Sequence, residues 1–215
     1  MVISTKNIHQ AIALIVLLFL SFNSYAQSDK ELVLKSFDNY KNAILTDKGK
    51  VASDFVDSRT INYYSTILNE VKTADSSKVN AMGIVDKLTV LTMRHRIAKK
   101  DLLSFSGKDL FIYAIDNGMI GKSSVVNATL GDVVTEGNFS KAVFVVSGQE
   151  TPFFFHFYRE DDVWKIDITH LFSLGTIGFK QMVEDSGEEE NDFIMNILET
   201  LTGKKPTKAI WEPIQ

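Results

Sequence analysis

The sequence contains no cysteine, and among its 215 residues there are only three prolines and four histidines. The absence of cysteine excludes disulfide bonds, thiolate metal sites and a lipid anchor attached to a cysteine. The histidines do not show the HxxxH or HExxH spacing of zinc sites, and no segment has the alternating acidic ligands of a calcium loop. We therefore expect no metal site and no cofactor, and a fold held together by packing.

Positive charge is also scarce. The 23 Lys and Arg residues are outnumbered by 27 Asp and Glu residues, which gives a net charge of −4. Because nucleic-acid binding requires a basic face, nucleic acid is not expected as a partner. Glycine-rich phosphate loops and the Gly-x-Ser-x-Gly motif are absent, which excludes the enzyme classes built on them.

Long apolar runs are limited to one, near the N-terminus. Lys6 precedes the apolar segment Ala11–Phe22, and the small residues Ser24 and Ala26 follow at the positions that a signal peptidase reads. This order predicts a signal peptide over residues 1–26 and a periplasmic or secreted mature chain without membrane contact. An uncleaved anchor is the alternative, although the run is shorter than the roughly 20 residues that span a bilayer.

The remainder of the chain shows helical, then strand, then helical periodicity. Apolar residues recur every three or four positions before residue 117 and again from about residue 171. Ser106 and Asp109 resemble a capping box at the start of one of these helices. The predicted helices are Glu31–Leu45, Ser58–Lys72, Ser77–Lys99, Lys108–Asn117, Leu171–Asp185 and Asp192–Thr202.

Between the two helical parts, the residues alternate between apolar and polar and turn residues separate the segments. This pattern predicts four consecutive antiparallel strands within residues 125–134, 141–148, 152–160 and 163–171. The predicted fold class is α+β, with helices packed on one face of a curved antiparallel sheet and a C-terminal helical extension from about residue 171. We expect residues 27–215 to form a single domain.

The alternation assigns the strand residues to two faces. One face is wholly apolar and is predicted to form the core or the wall of an apolar cavity. The other face is too apolar for free solvent and too polar for a sealed core, a mixture typical of an interface. The cavity-wall candidates on the sheet are Phe144, Phe153, Phe155, Phe157, Trp164 and Ile166. The interface candidates are Val143, Val145, Phe154, His156, Tyr158 and Asp167.

Two-residue turns bring the matching faces together, because an odd loop would rotate every phenylalanine to the wrong side. A turn at Asp161-Asp162 places His156 opposite Asp167, and a turn at Gly148-Gln149 aligns the preceding pair of strands. The histidine is either a general base oriented by Asp167 or one half of a cross-strand pair. The second interpretation is preferred, since the sequence places no nucleophile beside it, and we assign no catalytic residue.

The last predicted hairpin, Phe157–Asp167 (FYREDDVWKID), resembles the NTF2-like superfamily, and in particular its uncharacterised exported bacterial branch. The resemblance implies a cone-shaped α+β domain with a cavity between helices and sheet, and dimers formed through the outer sheet face. It does not imply one activity, because this fold hosts isomerases, dehydratases, transport factors and domains of no known chemistry. Isomerase-like members place a carboxylate in the cavity, whereas the apolar sheet face here offers none.

His95 is a further cavity-wall candidate, because it lies on the apolar stripe of its predicted helix between Arg94 and Arg96. It is either a hydrogen-bonded core histidine whose neighbouring arginines reach solvent, or part of a cavity site for an anionic ligand. Asp86 and Asp116 are alternative partners for these arginines in buried salt bridges.

These features predict an exported, non-catalytic domain that binds a small apolar or amphipathic ligand or a protein partner. An enzyme of the isomerase or dehydratase kind, with a cavity His or Asp supplied by the helices, is the alternative. A third hypothesis is a structural interaction module whose extra helices fill the cavity. A homodimer through the outer sheet face is expected in the first case.

Overall fold

Helical and strand segments follow one another as their periodicities predict. The structure, a computed structural model, describes residues 28–120 and 122–214, and the predicted signal peptide lies outside these residues. Helices pack against one face of a curved, four-stranded antiparallel sheet, and two further helices follow the sheet. The predicted α+β fold class is thereby confirmed. Within the described ranges, no helix combines the length and the apolar character needed to cross a membrane.

Within residues 28–120 and 122–214, seven α-helices precede the sheet and two follow it. In chain order they are α1 Asp29–Leu45, α2 Gly49–Ala52, α3 Ser58–Thr73, α4 Ser76–Asn80, α5 Ile84–Arg96, α6 Lys99–Ser104, α7 Gly107–Asp116, α8 Phe172–Ser186 and α9 Glu190–Thr202. The strands are β1 Ala128–Glu136, β2 Phe139–Val146, β3 Gln149–Glu160 and β4 Val163–Asp167, in that spatial order. Short 3₁₀ turns occupy Lys122–Ser124, Thr169–Leu171 and Lys208–Trp211.

Side-chain caps mark the start of four helices, at Ser28, Asp57, Asp75 and Ser106. Ser106 and Asp109 form the predicted capping box at α7, in which each side chain bonds the backbone of the other residue. The single helix predicted over Ser77–Lys99 is wrong. The chain leaves α4 at Asn80 and re-enters a helix only after Gly83, whose extended backbone precedes α5.

Aromatic packing fills the space between α1 and the sheet. The ring centroid of Phe37 on α1 lies 5.1 Å from that of Phe155 on β3, which in turn lies 4.9 Å from that of Phe144 on β2. At the next strand the Ser36 hydroxyl donates to the Trp164 carbonyl. These contacts seat α1 directly on the apolar face of the sheet.

The turn between β3 and β4 lies at Asp161-Asp162 as predicted. Both aspartates have positive φ, 52° and 61°, which fits a two-residue hairpin turn of the primed type. The register is therefore also as predicted, with His156 opposite Asp167.

The turn between β2 and β3 lies one residue earlier than predicted, at Ser147-Gly148. Both residues have positive φ, a conformation that glycine adopts at little cost. The predicted turn would instead have required positive φ at Gln149, where a side chain makes it costly. The register then shifts between Val143 and Val145. Pro152 lies in the irregular stretch of β3 and has no N–H to donate to a neighbouring strand.

Strand β4 ends earlier than predicted, at Asp167, because this side chain turns the backbone. Its Oδ1 accepts a hydrogen bond from the Thr169 N–H at 3.0 Å, an Asx turn. The free edge of β4 is covered by the chain before α3. The Ile166 N–H donates to the Phe55 carbonyl at 2.8 Å, and the Asp57 N–H donates to the Ile166 carbonyl at 3.0 Å.

The buried guanidinium of Arg94 on α5 joins three parts of the chain. Arg94 is only 8 % exposed and donates to the carbonyls of Glu70, Val71 and Ala74 at the end of α3. It also donates to the Ile210 carbonyl of the C-terminal tail at 3.1 Å. Arg94 thus satisfies carbonyls that the end of α3 leaves without helical partners.

We predict that Arg94→Lys lowers the free energy of unfolding by about 2–4 kcal/mol, because a lysine ammonium cannot reproduce the planar, multi-donor geometry of arginine. The control is Arg96→Lys, whose arginine makes one hydrogen bond, to the Asn117 carbonyl. This control should change stability by less than about 0.5 kcal/mol. Urea unfolding of the three proteins measures the difference, and equal losses in both variants would contradict the assignment.

Candidate functional site

The residues predicted to line a cavity between helices and sheet lie mostly in the packed core. Phe155, Phe157, Trp164 and Ile166 are buried, and Phe144 is half-buried. Phe153 lies in the irregular part of β3 and is 41 % exposed. The open space beside Trp164 measures about 180 Å³, which is smaller than the roughly 300 Å³ at the lower end of ligand pockets.

The outer face of the sheet is covered in part by the chain itself. The Arg59 guanidinium lies 3.6 Å from the centroid of the Tyr158 ring, and the His170 ring stacks on that of His156. Val145 is buried on this face. Of the interface candidates, Phe154 is the most exposed, at 37 %, whereas Val143 is half-buried. The predicted interface face is therefore open only around the β2–β3 hairpin.

The two stacked histidines do not form a base with Asp167. The ring centroids of His156 and His170 lie 3.5 Å apart at an interplanar angle of 19°. The buried Asp167 carboxylate instead accepts from the N–H and the hydroxyl of Thr169, through Oδ1. This contact fixes the 3₁₀ turn that carries His170 over the sheet, so Asp167 positions the turn.

The environment of His156 disfavours its protonated form. Burial and the charge of His170 lower the pKa of His156, and Lys141 on β2 acts in the same direction, while Asp167 opposes them. The neutral form of His156 is therefore favoured in the stacked arrangement.

Arg94, His95 and Arg96 do not converge on an open anionic site. Arg94 is buried against carbonyls as described above, so the expectation that it reaches solvent is wrong. His95 Nε2 lies 3.0 Å from the Thr202 hydroxyl of α9. The two aspartates considered as partners for these arginines are bonded elsewhere. Asp86 accepts from the Tyr63 hydroxyl, and Asp116 accepts from the Gly49 N–H.

An apolar groove of about 500 Å³ lies between α5, α8 and α9. We call it the α8–α9 groove. Met182 on α8 is 51 % exposed and Leu201 on α9 is 63 % exposed, so apolar surface at this groove contacts solvent. Its apolar lining consists of Leu88, Phe179, Met182, Phe193, Ile197 and Leu201.

Polar contacts hold α9 onto α5 at both ends of the groove. At the start of α9, the buried Lys87 ammonium contacts the Glu190 carboxylate at 2.7 Å and the Asn191 amide oxygen at 3.2 Å. At the end of α9, Thr202 meets His95. Because both ends of α9 are tied down, the wall that it forms is fixed in place.

The polar lining residues are concentrated at one end and along one side of the groove. Ser186 and Glu188 lie at the turn between α8 and α9, where the Glu188 N–H donates to the Ser186 hydroxyl at 3.1 Å. Asn196 Nδ2 donates to the Glu188 carboxylate at 3.0 Å. Thr200, near the other end, completes this set. The groove therefore has an apolar body and one acidic end.

The sequence contained a signal for this groove that the strand-centred prediction did not use. The predicted last helix has five apolar residues on one side, a stripe wider than one neighbouring helix covers. In the structure, Ile194 and Leu198 are buried in the core, whereas Phe193, Ile197 and Leu201 line the groove.

No family profile, curated protein or solved structure matches this chain. In the part of the chain that the structure describes, no three His, Asp or Glu side chains are grouped so as to hold a metal ion. The candidate site is therefore defined by its geometry alone.

We predict that stability falls as the pH drops below about 6.5, the ordinary pKa of histidine, because the unfolded chain binds protons more readily than folded His156. The variant His170→Gln removes the neighbouring charge and should make the loss between about pH 7 and about pH 5 shallower. His95→Gln, at a position away from the sheet, is the control for removing a histidine. Urea unfolding at each pH measures the slopes. A wild-type slope in His170→Gln would contradict the role of the stacked pair.

Proposed function

We propose that this protein binds a small apolar or amphipathic ligand in the α8–α9 groove and does not catalyse a reaction on it. The observation that supports this most is the groove itself, an open apolar space of about 500 Å³. That volume falls within the roughly 300–1,000 Å³ of small-molecule sites, which are typically apolar with a few polar groups.

The exposed apolar side chains give the ligand its driving force. Met182 and Leu201 are exposed to solvent at the groove, and covering apolar surface is favourable by about 25 cal/mol per Å². A methionine in the wall also suits a ligand of variable shape, because its unbranched side chain adapts to its neighbour. The α8 wall contains no fully buried side chain, which favours adjustment around a ligand.

Export of the mature chain and a distant NTF2-like relationship are parts of this proposal. The order of charge, apolar run and small residues at the N-terminus supports export. The placement of helices on one face of a curved sheet is compatible with the NTF2-like resemblance. The enzyme alternative has less support, since His95 bonds to Thr202 and Asp86 to Tyr63, and neither His95 nor Asp86 lines the groove.

We predict that Thr200→Trp weakens binding of dodecyl maltoside, a neutral single-chain probe, by about tenfold or more. Thr200 lines the groove with an exposed side chain, so an indole there fills the site without entering the core. Isothermal titration calorimetry below the micelle concentration measures the affinity, and a negative heat-capacity change marks apolar burial.

The matched control is Glu199→Trp, which adds the same indole to an exposed position on the same helix outside the groove lining. It should bind the probe as the wild type does. The urea midpoint of each variant verifies folding. Absence of saturable binding to the wild type would refute the proposed function, and equal weakening in both variants would move the site elsewhere.

A homodimer through the outer sheet face is a second candidate, supported by the exposed side chain of Phe154 near the β2–β3 hairpin. We predict that Phe154→Lys dissociates this dimer, because a charge placed in an apolar contact loses hydration. Gln149→Lys, at an exposed position in the same hairpin, is the control. Light scattering after size-exclusion chromatography gives the mass, and a monomeric wild type at high concentration would rule out the dimer.

A further inference from the structure

We propose that the ligand of the α8–α9 groove is a single-chain amphiphile with a cationic head group, and that the Glu188 carboxylate receives this head group. The inference rests on the proposed function and adds the chemical class of the ligand. It follows from where the apolar and the charged lining residues lie along the groove.

The apolar part of the groove runs along α9, away from Glu188. Phe193 lies in the first turn of α9 and Leu201 near its end, and their separation of eight positions corresponds to about 12 Å of helix. Ser186 and Glu188 occupy the turn at the Phe193 end. An alkyl chain lying in the groove therefore places its polar head at the α8–α9 turn.

The charges at this end are acidic. The turn sequence EDSGEEE carries five carboxylates in the seven residues Glu184–Glu190, and one of these, Glu190, is paired with Lys87 at 2.7 Å. The lining residues of the groove include Glu188 but no lysine, arginine or histidine. The field at the head-group end therefore attracts a cation and repels a carboxylate or a phosphate.

Two acids near this turn have a structural role at the start of α9. Glu190 and Asp192 lie in the first turn of α9, where the helix dipole favours negative charge. They also offset the attraction that this helix end would have for an anionic head group. Glu188 precedes the cap residue Glu189 and lines the groove, so its position suits a ligand.

Local hydrogen bonds hold Glu188 at the groove. Its backbone N–H donates to Ser186, and its carboxylate accepts one bond from Asn196 at 3.0 Å. A carboxylate offers about four acceptor positions, so capacity remains for an ammonium group, which has three donors. A primary or small alkyl ammonium is the head group that this arrangement fits best.

The size of the site favours a single-chain amphiphile over a basic peptide helix. A helix with its side chains is about 10–12 Å wide, and a groove of about 500 Å³ is suited to a small molecule. A peptide helix would instead require a long apolar groove contacted at several successive turns. The peptide is therefore the alternative occupant that the experiment must separate.

The test compares three probes with the same chain length, dodecylammonium, dodecyl maltoside and dodecanoate, by calorimetry below their micelle concentrations at pH 8 and low salt. We expect dodecylammonium to bind about three- to tenfold more tightly than dodecanoate. Glu188→Gln should abolish this preference by weakening the binding of dodecylammonium. Glu184→Gln removes an equal charge at an exposed position outside the lining and should keep most of the preference.

Each outcome distinguishes the head-group inference from the proposed function. If no probe binds, the proposed function fails. If all three bind equally, or if dodecanoate binds best, the groove is a ligand site but the cationic inference is overturned. Equal losses in Glu188→Gln and Glu184→Gln would overturn the role of Glu188. A lysine-rich amphipathic peptide is tested in competition with dodecylammonium. If the peptide displaces dodecylammonium and binds more tightly than it does, a peptide is the occupant and the amphiphile inference is overturned.

Discussion

The contact of Phe37 with Phe155 determines where this protein can have a ligand cavity. It places α1 directly on the apolar face of the sheet and, with Phe144, fills the space that a cone-shaped domain would leave for a ligand. A filled interior is the ordinary state of a protein core, since empty apolar space forfeits packing contacts. The helices that follow the sheet then provide the open apolar surface. Because the interior beneath the sheet is filled, the apolar groove lies outside the main core.

The two walls of the groove differ in how firmly they are held. The α9 wall is tied to α5 by a buried ammonium at Lys87 and by the His95–Thr202 contact, and its inner residues reach the core. The α8 wall has no fully buried side chain. Affinity is gained where a site is already formed, while tolerance of ligand shape requires some freedom. In the proposed binding mode, the fixed α9 wall supplies the formed part of the site and the α8 wall supplies the freedom.

Alternation and turn chemistry were sufficient to predict the sheet, its strand order and the pairing of His156 with Asp167. The prediction failed where a side chain overrode the pattern. Asp167 bends the backbone to accept from Thr169, which ends β4 and carries His170 onto the outer face. Alternation identifies the apolar face of the sheet but does not show that α1 covers it. The ligand cavity was therefore predicted at the sheet, and the groove was missed. Only the assembled structure shows which apolar stripe remains without a neighbour.

The covered edge of β4 limits how the folded protein can aggregate through its sheet. Both backbone groups of Ile166 are bonded to the segment before α3, and on the opposite edge β1 is irregular between Leu130 and Val133. The aromatic strand β3, which would be the most prone to fibril formation, lies between two neighbours. Strand β3 is thus protected from cross-β pairing by its central place in the sheet. The segment before α3 protects the neighbouring edge of β4, in a protein that has no disulfide bonds.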